Sequence, residues 1–233
     1  MIASLKAILF DLDGTLLDNE MSEFLPHYFE SLSARVAQIM PAQEFIAHLM
    51  RATRVMQAND GSVTNAEAFA AAFYPLAGHP RAEVEPIFLD FYATDFPRLE
   101  QYTRRKPAAR AVVQRAFDLG YDVVIATNPL FPESAVQQRL TWAGVEDFPY
   151  RLVTTYENSR SSKPNLRYFE EIVAYLGRPA EACLMVGDED MDMVAAHIGC
   201  PTFLVPGPAT SLAATTPEPT YRGTLEDLLT LLV

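Results

Sequence analysis

Asp11 and Asp13 flank Leu12 directly after the apolar run Lys6–Phe10, and Gly14 and Thr15 follow them. In extended backbone, residues two apart point the same way, so both carboxylates project from one strand end. Gly14 lets the chain turn away sharply, and the Thr15 hydroxyl can pin the turn. Two acids this close repel each other, and a divalent cation or a proton on one of them relieves the repulsion. Beside a phosphate they have separate jobs. One attacks phosphorus; the other protonates the leaving oxygen and later takes a proton from water. Alone, Asp-Leu-Asp-Gly reads first as a solvated turn.

Other segments add complementary groups. Asp188, Glu189, Asp190 and Asp192 follow Gly187 after the run Ala182–Val186. Such oxygen donors suit magnesium, which takes one or two carboxylates along with water and phosphate oxygens. Acids in the first turn of a helix are the competing reading, and it covers Glu189 and Asp190. Lys163 is one of three lysines in a chain whose Lys+Arg total is 18. A compact ammonium there, between Ser162 and Pro164, suits a phosphate oxygen or a neighbouring carboxylate. Thr127 and Asn128 end the run Asp122–Ala126 and offer a hydroxyl and a backbone N–H for phosphate oxygens. The four histidines show no metal-ligand spacing; His27 and His48 are candidates only for substrate contact. Trp142 reads as core. The extra acid Asp190 has no assigned role.

The elements that would position these groups alternate. Apolar runs at Lys6–Phe10, Asp122–Ala126, Tyr150–Thr154, Ala182–Val186 and Pro201–Val205 read as strands buried on both faces, which indicates a parallel sheet. Helical faces fall between them: Ala109, Val112, Val113, Ala116 and Phe117, stopped by Gly120, and Leu166, Phe169, Ile172, Val173 and Leu176, stopped by Gly177. The fold class is therefore α/β, a doubly wound Rossmann-like parallel sheet. Thr15 to Asp122 far exceeds the roughly 30 residues of a βαβ unit. The excess reads as helices: a face of Leu25, Phe29, Leu32, Val36 and Ile39, a second of Phe45, Leu49 and Met56, a turn at Asn59–Ser62, then Ala66–Phe73 and Ala82–Tyr92. We expect a core of residues 1–16 and 102–233 with an inserted α-helical cap domain at 17–101. Within the cap, Asn19, Tyr28, Arg51 and Arg54 are the side chains that could face the cleft. A last helix is expected from Thr224.

A formal net charge of −12 argues against nucleic acid and anionic membranes as partners. The apolar run at the N-terminus is too short for a signal-peptide core, and no stretch approaches a membrane span. Cys183 and Cys200 read as reduced, buried thiols, which suits a cytoplasmic location. The oligomeric state is left open.

ILFDLDGTLLD resembles the first motif of the haloacid dehalogenase superfamily, IATN its second, SKP its third and VGDEDMD one form of its fourth, in the family's order along almost the whole chain. The resemblance implies a Rossmann-like core with a helical cap inserted after the first motif. It implies Asp11 as nucleophile and Asp13 as general acid/base. It implies Mg2+ held by the Asp11 side chain, the Asp13 backbone carbonyl and Asp188, with Asp192 behind them or bridged through water. Thr127, Asn128 and Lys163 would hold the transferring phosphoryl group. Metal-free dehalogenases of the family lack the second aspartate, so Asp13 points to phosphoryl transfer. The expected activity is a magnesium-dependent phosphatase for a small phosphorylated metabolite, acting through an aspartyl-phosphate. A phosphomutase on the same chemistry, or a noncatalytic binding protein of the same fold, are the alternatives.

Overall fold

A computed structural model describes residues 5–208 and 210–232. Six strands form one parallel sheet: β1 (Ala7–Phe10), β4 (Asp122–Ile125), β5 (Leu152–Val153), β6 (Cys183–Gly187), β7 (Thr202–Leu204) and β8 (Tyr221–Arg222). Their order is β5-β4-β1-β6-β7-β8, with β1 central. Every residue of β1 is buried, and its alternate side chains serve different layers. Ile8 and Phe10 join the larger apolar cluster, which runs on into the inserted helices, and Ala7 and Leu9 join a smaller one built on Phe169, Ile172 and Met185.

Register makes the edge of this sheet a common platform. Phe10 pairs with Ile125 on one side and with Val186 on the other. The residues that follow, Asp11, Ala126–Thr127 and Gly187–Asp188, therefore leave the sheet at one level, the carboxyl edge where open α/β sheets hold ligands.

Between β1 and β4 the chain forms the cap. β2 (Leu17–Asp18) and β3 (Arg104–Arg105) pair antiparallel and carry the chain out of the core and back. Between them lie α1 (Met21–Val36), α2 (Ala42–Gln57), α3 (Asn65–Ala77) and α4 (Arg81–Thr94), then a 3₁₀ segment at Phe96–Tyr102. Thr64 and Glu67 cap α3 reciprocally, satisfying backbone donors that the first helical turn leaves free. An aromatic seam joins cap to core: Phe96 stacks on Trp142 with ring centroids 5.2 Å apart, and Phe24 lies 6.3 Å from the same ring.

The remaining core helices are α5 (Ala109–Asp118), α6 (Glu133–Ala143), α7 (Leu166–Leu176), the short α8 (Asp190–Met193) and α9 (Leu225–Leu231). The expected last helix starts from Thr224 as its N-cap. Two elements depart from the sequence reading. The expected strand at Tyr150–Thr154 shrinks to two residues, because β5 is the sheet's edge and has β4 alone as its neighbour. Helix α6 has no counterpart in the expected pattern, because its buried set includes Arg139 among apolar residues. Among the described residues, no helix is long and apolar enough to cross a membrane.

Candidate active site

Asp11 follows β1 and is 7% exposed, so the solvated-turn reading of this segment does not hold. Its backbone N–H donates to Val186 O at 2.8 Å, fixing the start of the turn against β6. Gly14 has φ +81°, a conformation that side chains with a Cβ rarely adopt. A Cβ built on Gly14 would also run into the Asp188 carboxylate, so the glycine lets two strand ends close on one another. Thr15 Oγ1 donates to Asp188 Oδ1 at 3.1 Å, and Lys106 Nζ donates to the Gly14 carbonyl, tying the turn on both sides.

Lys163 reaches the same place from the loop before α7. Its Nζ donates to Asp11 Oδ1 at 2.7 Å and to Asp192 Oδ1 at 2.6 Å, with the side chain 1% exposed. Burial alone works against the ammonium, but Asp11 and Asp192 outweigh it, so the Lys163 pKa is raised and the group stays charged.

Asp11, Asp188 and Asp192 each offer an oxygen, and these lie within 4.8 Å of one another. A Cβ on Gly187 would collide with the Asp192 carboxylate, just as one on Gly14 would with Asp188. Burial, then the charges of Asp11 and Asp192, pushes the Asp188 carboxyl up to about 8. Burial likewise raises Asp192 to about 7, against the pull of Lys163 and with a further push from Asp11. A single ammonium does not balance three converging carboxylates, and a hard divalent cation fits both the donor set and its charge. Asp192 is held within this trio by Lys163, at 2.6 Å.

Asp13 turns elsewhere. Its Oδ1 accepts from Asn19 Nδ2 at 2.7 Å, and its Oδ2 accepts from Arg139 Nη1. Burial raises its pKa, the Arg139 charge opposes that rise, and Asp11 adds to it. The Asp13 side chain thus stands outside the carboxylate trio. Arg139 was not singled out from the sequence. Its one signal, an arginine in a helix that otherwise buries apolar residues, needs the structure to be read.

Thr127 and Asn128 line the same cavity as Asp11, Asp13, Asp188 and Asp192. The Thr127 carbonyl accepts from Thr154 Oγ1 at 2.7 Å and Tyr168 Oη at 2.9 Å, so the segment is held from behind. Asn128 Oδ1 is buried with no partner among the described residues. Asp190 has a structural role: its carboxylate accepts from Ala213 N at 3.1 Å and tethers the loop after β7.

Of the cap residues considered, Asn19 touches Asp13 and Tyr28 lines the cavity. The others do not reach it. His27 stacks on Tyr102 with centroids 3.6 Å apart, and His48 faces Glu44 on the same helix at 3.4 Å. Arg51 and Arg54 are absent from the lining because they lie on the outward side of α2, whose buried face is Phe45, Leu49, Ala52 and Met56. Cys183 and Cys200 are buried free thiols.

These features define a class: a Rossmann-like α/β protein that gathers carboxylates and an ammonium at one sheet edge beneath a helical cap. Residues 5–198 match the sequence profile of haloacid dehalogenase-like hydrolases, and the chain belongs to that family. Its solved structural neighbours include a HAD phosphatase from Thermococcus onnurineus, with TM-score 0.60 and 20% identity over 98% of both chains. An L-2-haloacid dehalogenase from Xanthobacter autotrophicus with chloropropionic acid covalently bound gives TM-score 0.60 and 15% identity, again over 98% of each chain. A predicted phosphoglycolate phosphatase from Haemophilus somnus gives TM-score 0.59 and 20% identity over 99% of each. At these identities the likeness establishes the fold. No curated protein sequence matches the chain.

Proposed function

We propose that this hydrolase is a magnesium-dependent phosphatase that cleaves phosphomonoesters through an aspartyl-phosphate on Asp11. The observation that carries the reading is the second acid. Asp13 stands two residues from Asp11, its carboxyl pKa raised by burial, and both line one cavity. A carboxyl that holds its proton closer to neutral pH is suited to protonating a poor leaving group such as an alkoxide. Displacement of a halide needs no such donor.

In this reading Lys163 holds Asp11 in place and offsets charge as the phosphoryl group approaches. An Asp11 oxygen attacks phosphorus, the bond from phosphorus to the ester oxygen breaks, and Asp13 gives its proton to the departing alcohol. Water then attacks the aspartyl-phosphate, Asp13 takes a proton from that water, and inorganic phosphate leaves with Asp11 restored. Thr127 and Asn128 donate to the phosphoryl oxygens. Mg2+, held by Asp11, Asp188 and the Asp13 carbonyl, would neutralise charge on the phosphoryl oxygens. Arg139 and Asn19 orient Asp13 between the two proton transfers.

The test is hydrolysis of 4-nitrophenyl phosphate with and without Mg2+, alongside chloride release from 2-chloropropionate. Phosphate release that disappears on chelation, and falls at least ~10³-fold in Asp11→Asn while the variant keeps its fold, is the expected result. Chloride release without ester hydrolysis would replace this reading with a dehalogenase. Return of the phosphoryl group to another hydroxyl of a sugar phosphate would replace it with a phosphomutase.

A further inference from the structure

The cavity above the carboxylates has a volume of about 930 Å³, near the top of the range for small-molecule sites. A phosphoryl group at Asp11 occupies only its floor. Above that floor much of the wall is apolar and rich in rings, with Tyr28, Phe29, Phe69, Phe88, Phe131 and Tyr156 drawn from the cap and from the loops beneath it. Met50 and Leu89 line the outer part, and they are among the few large apolar side chains left exposed, at 37% and 64%. Exposed apolar surface continuous with a pocket marks where an apolar ligand gains by leaving water.

Charge in the cavity points the same way. Among the described residues, the only cations lining it are Arg81 and Arg139, and each is already paired. Arg81 meets Glu85 at 2.5 Å, and Arg139 meets Asp13. Glu133, Glu157 and Glu189 also line the cavity. A second anionic group on the substrate, a carboxylate or another phosphate, would meet unopposed acids. Arg139 Nη2 is buried with no partner among the described residues. That spare N–H, beside the Asp13 acid, suits the bridging ester oxygen that Asp13 protonates.

We infer that the substrate is a phosphomonoester of a neutral, bulky apolar alcohol, one phosphate on an aromatic or aliphatic body that fills the ring-lined cavity. This rests on the phosphatase reading and adds the class of leaving group.

The test compares esters with alkyl leaving groups of similar acidity, so that body shape alone varies: 2-(1-naphthyl)ethyl phosphate, glycerol 3-phosphate, 2-phosphoglycolate and a hexose bisphosphate, each with Mg2+. We expect kcat/KM for the naphthylethyl ester to exceed that for glycerol 3-phosphate at least about tenfold, chiefly through KM. The two anionic competitors should be poorer still. Leu89→Glu and Met50→Glu, both at exposed positions, should shrink the naphthylethyl-to-glycerol ratio at least about threefold. Turnover of the panel with no preference for the naphthylethyl ester, or a preference for the carboxylated or bisphosphorylated ester, overturns this inference and leaves the phosphatase reading standing. No turnover of any ester overturns both.

Discussion

Arg139 Nη1 donates to Asp13 Oδ2 from helix α6, which follows β4, and the guanidinium lies 4.6 Å over the Phe131 ring. The arginine is 1% exposed and the aspartate 12%, so neither charge has ready access to water. Removing one partner of such a pair leaves the other uncompensated in a poorly polarisable setting. We expect Arg139→Met to lower unfolding free energy by about 3–5 kcal/mol, read from urea denaturation. Adding Asp13→Asn should cost less than the sum of the single changes, since the stranded carboxylate is then gone. Additive losses would mean that the pair is not coupled.

Metal affinity and stability should follow pH together. With no cation bound, burial and the neighbouring carboxylates push the Asp188 and Asp192 carboxyls up, to about 8 and about 7, from the ordinary 3.8. The folded state therefore holds more protons than the unfolded state across that window. Its contribution to stability is complete below the ordinary carboxylate range and is lost as pH rises through about 7 and 8. Thermal melts with a chelator should show Tm falling over that rise. Mg2+ should restore it, more at pH 8 than at pH 6, because the ion displaces protons. Calorimetric titration near neutral pH in buffers of different ionisation heat should detect those protons leaving on binding. A Mg2+ shift independent of pH would contradict the assignment.

Gly14 isolates the geometry of the carboxylate trio from its chemistry. The residue has φ +81°, and an added Cβ would run into the Asp188 carboxylate. Gly14→Ala should push Asp188 out of line with Asp11 while keeping every carboxylate in the chain. We expect Mg2+ affinity to fall roughly 10–100-fold, the scale seen when groups that orient a metal ligand are disturbed, measured by the same calorimetry. Gly120→Ala is a control for the backbone strain alone. Gly120 also has positive φ, at 76°, yet an added Cβ there meets nothing within 4 Å. It should cost stability and leave Mg2+ affinity unchanged.

The sheet and the acid pair were legible in the sequence for one reason: a fully buried parallel strand has an uninterrupted apolar run, and chemistry concentrates where the run stops. Lys6–Phe10, Asp122–Ala126 and Ala182–Val186 all announce themselves this way, and their ends meet in register around Asp11. What stayed hidden depends on contacts between distant segments. Helix α6 buries an arginine, so its pattern lacks the apolar stripe by which helices are recognised, and the partner of Asp13 was missed with it. Lys106 gave no sign that its ammonium would reach the Gly14 carbonyl. Strand β8 has only two residues and no apolar run. His48 and Arg51 failed as cleft residues because a helix shows which residues share a face, and packing alone decides which face looks into a cavity.

Lys163 tests whether the site holds together as one unit. Its ammonium bridges Asp11 and Asp192 at 2.7 and 2.6 Å, and all three are buried. Lys163→Met keeps the length of the side chain and deletes the charge. Asp11 and Asp192 would then face each other with no cation between them, and the folded state would take up protons to survive. In the metal-free variant we expect a loss of about 3–5 kcal/mol at pH 8, shrinking toward pH 5 as the carboxyls are neutralised. Ester hydrolysis should fall at least ~10²-fold at saturating Mg2+, because an ion beside the carboxylates does not reproduce the hydrogen bond that aims Asp11. Lys163→Arg should rescue neither, since a planar guanidinium does not fit the space that a buried ammonium fills. A Lys163→Met variant whose stability at pH 8 and at pH 5 equals that of the unaltered protein, with near-normal turnover, would mean that the bridge is incidental to both.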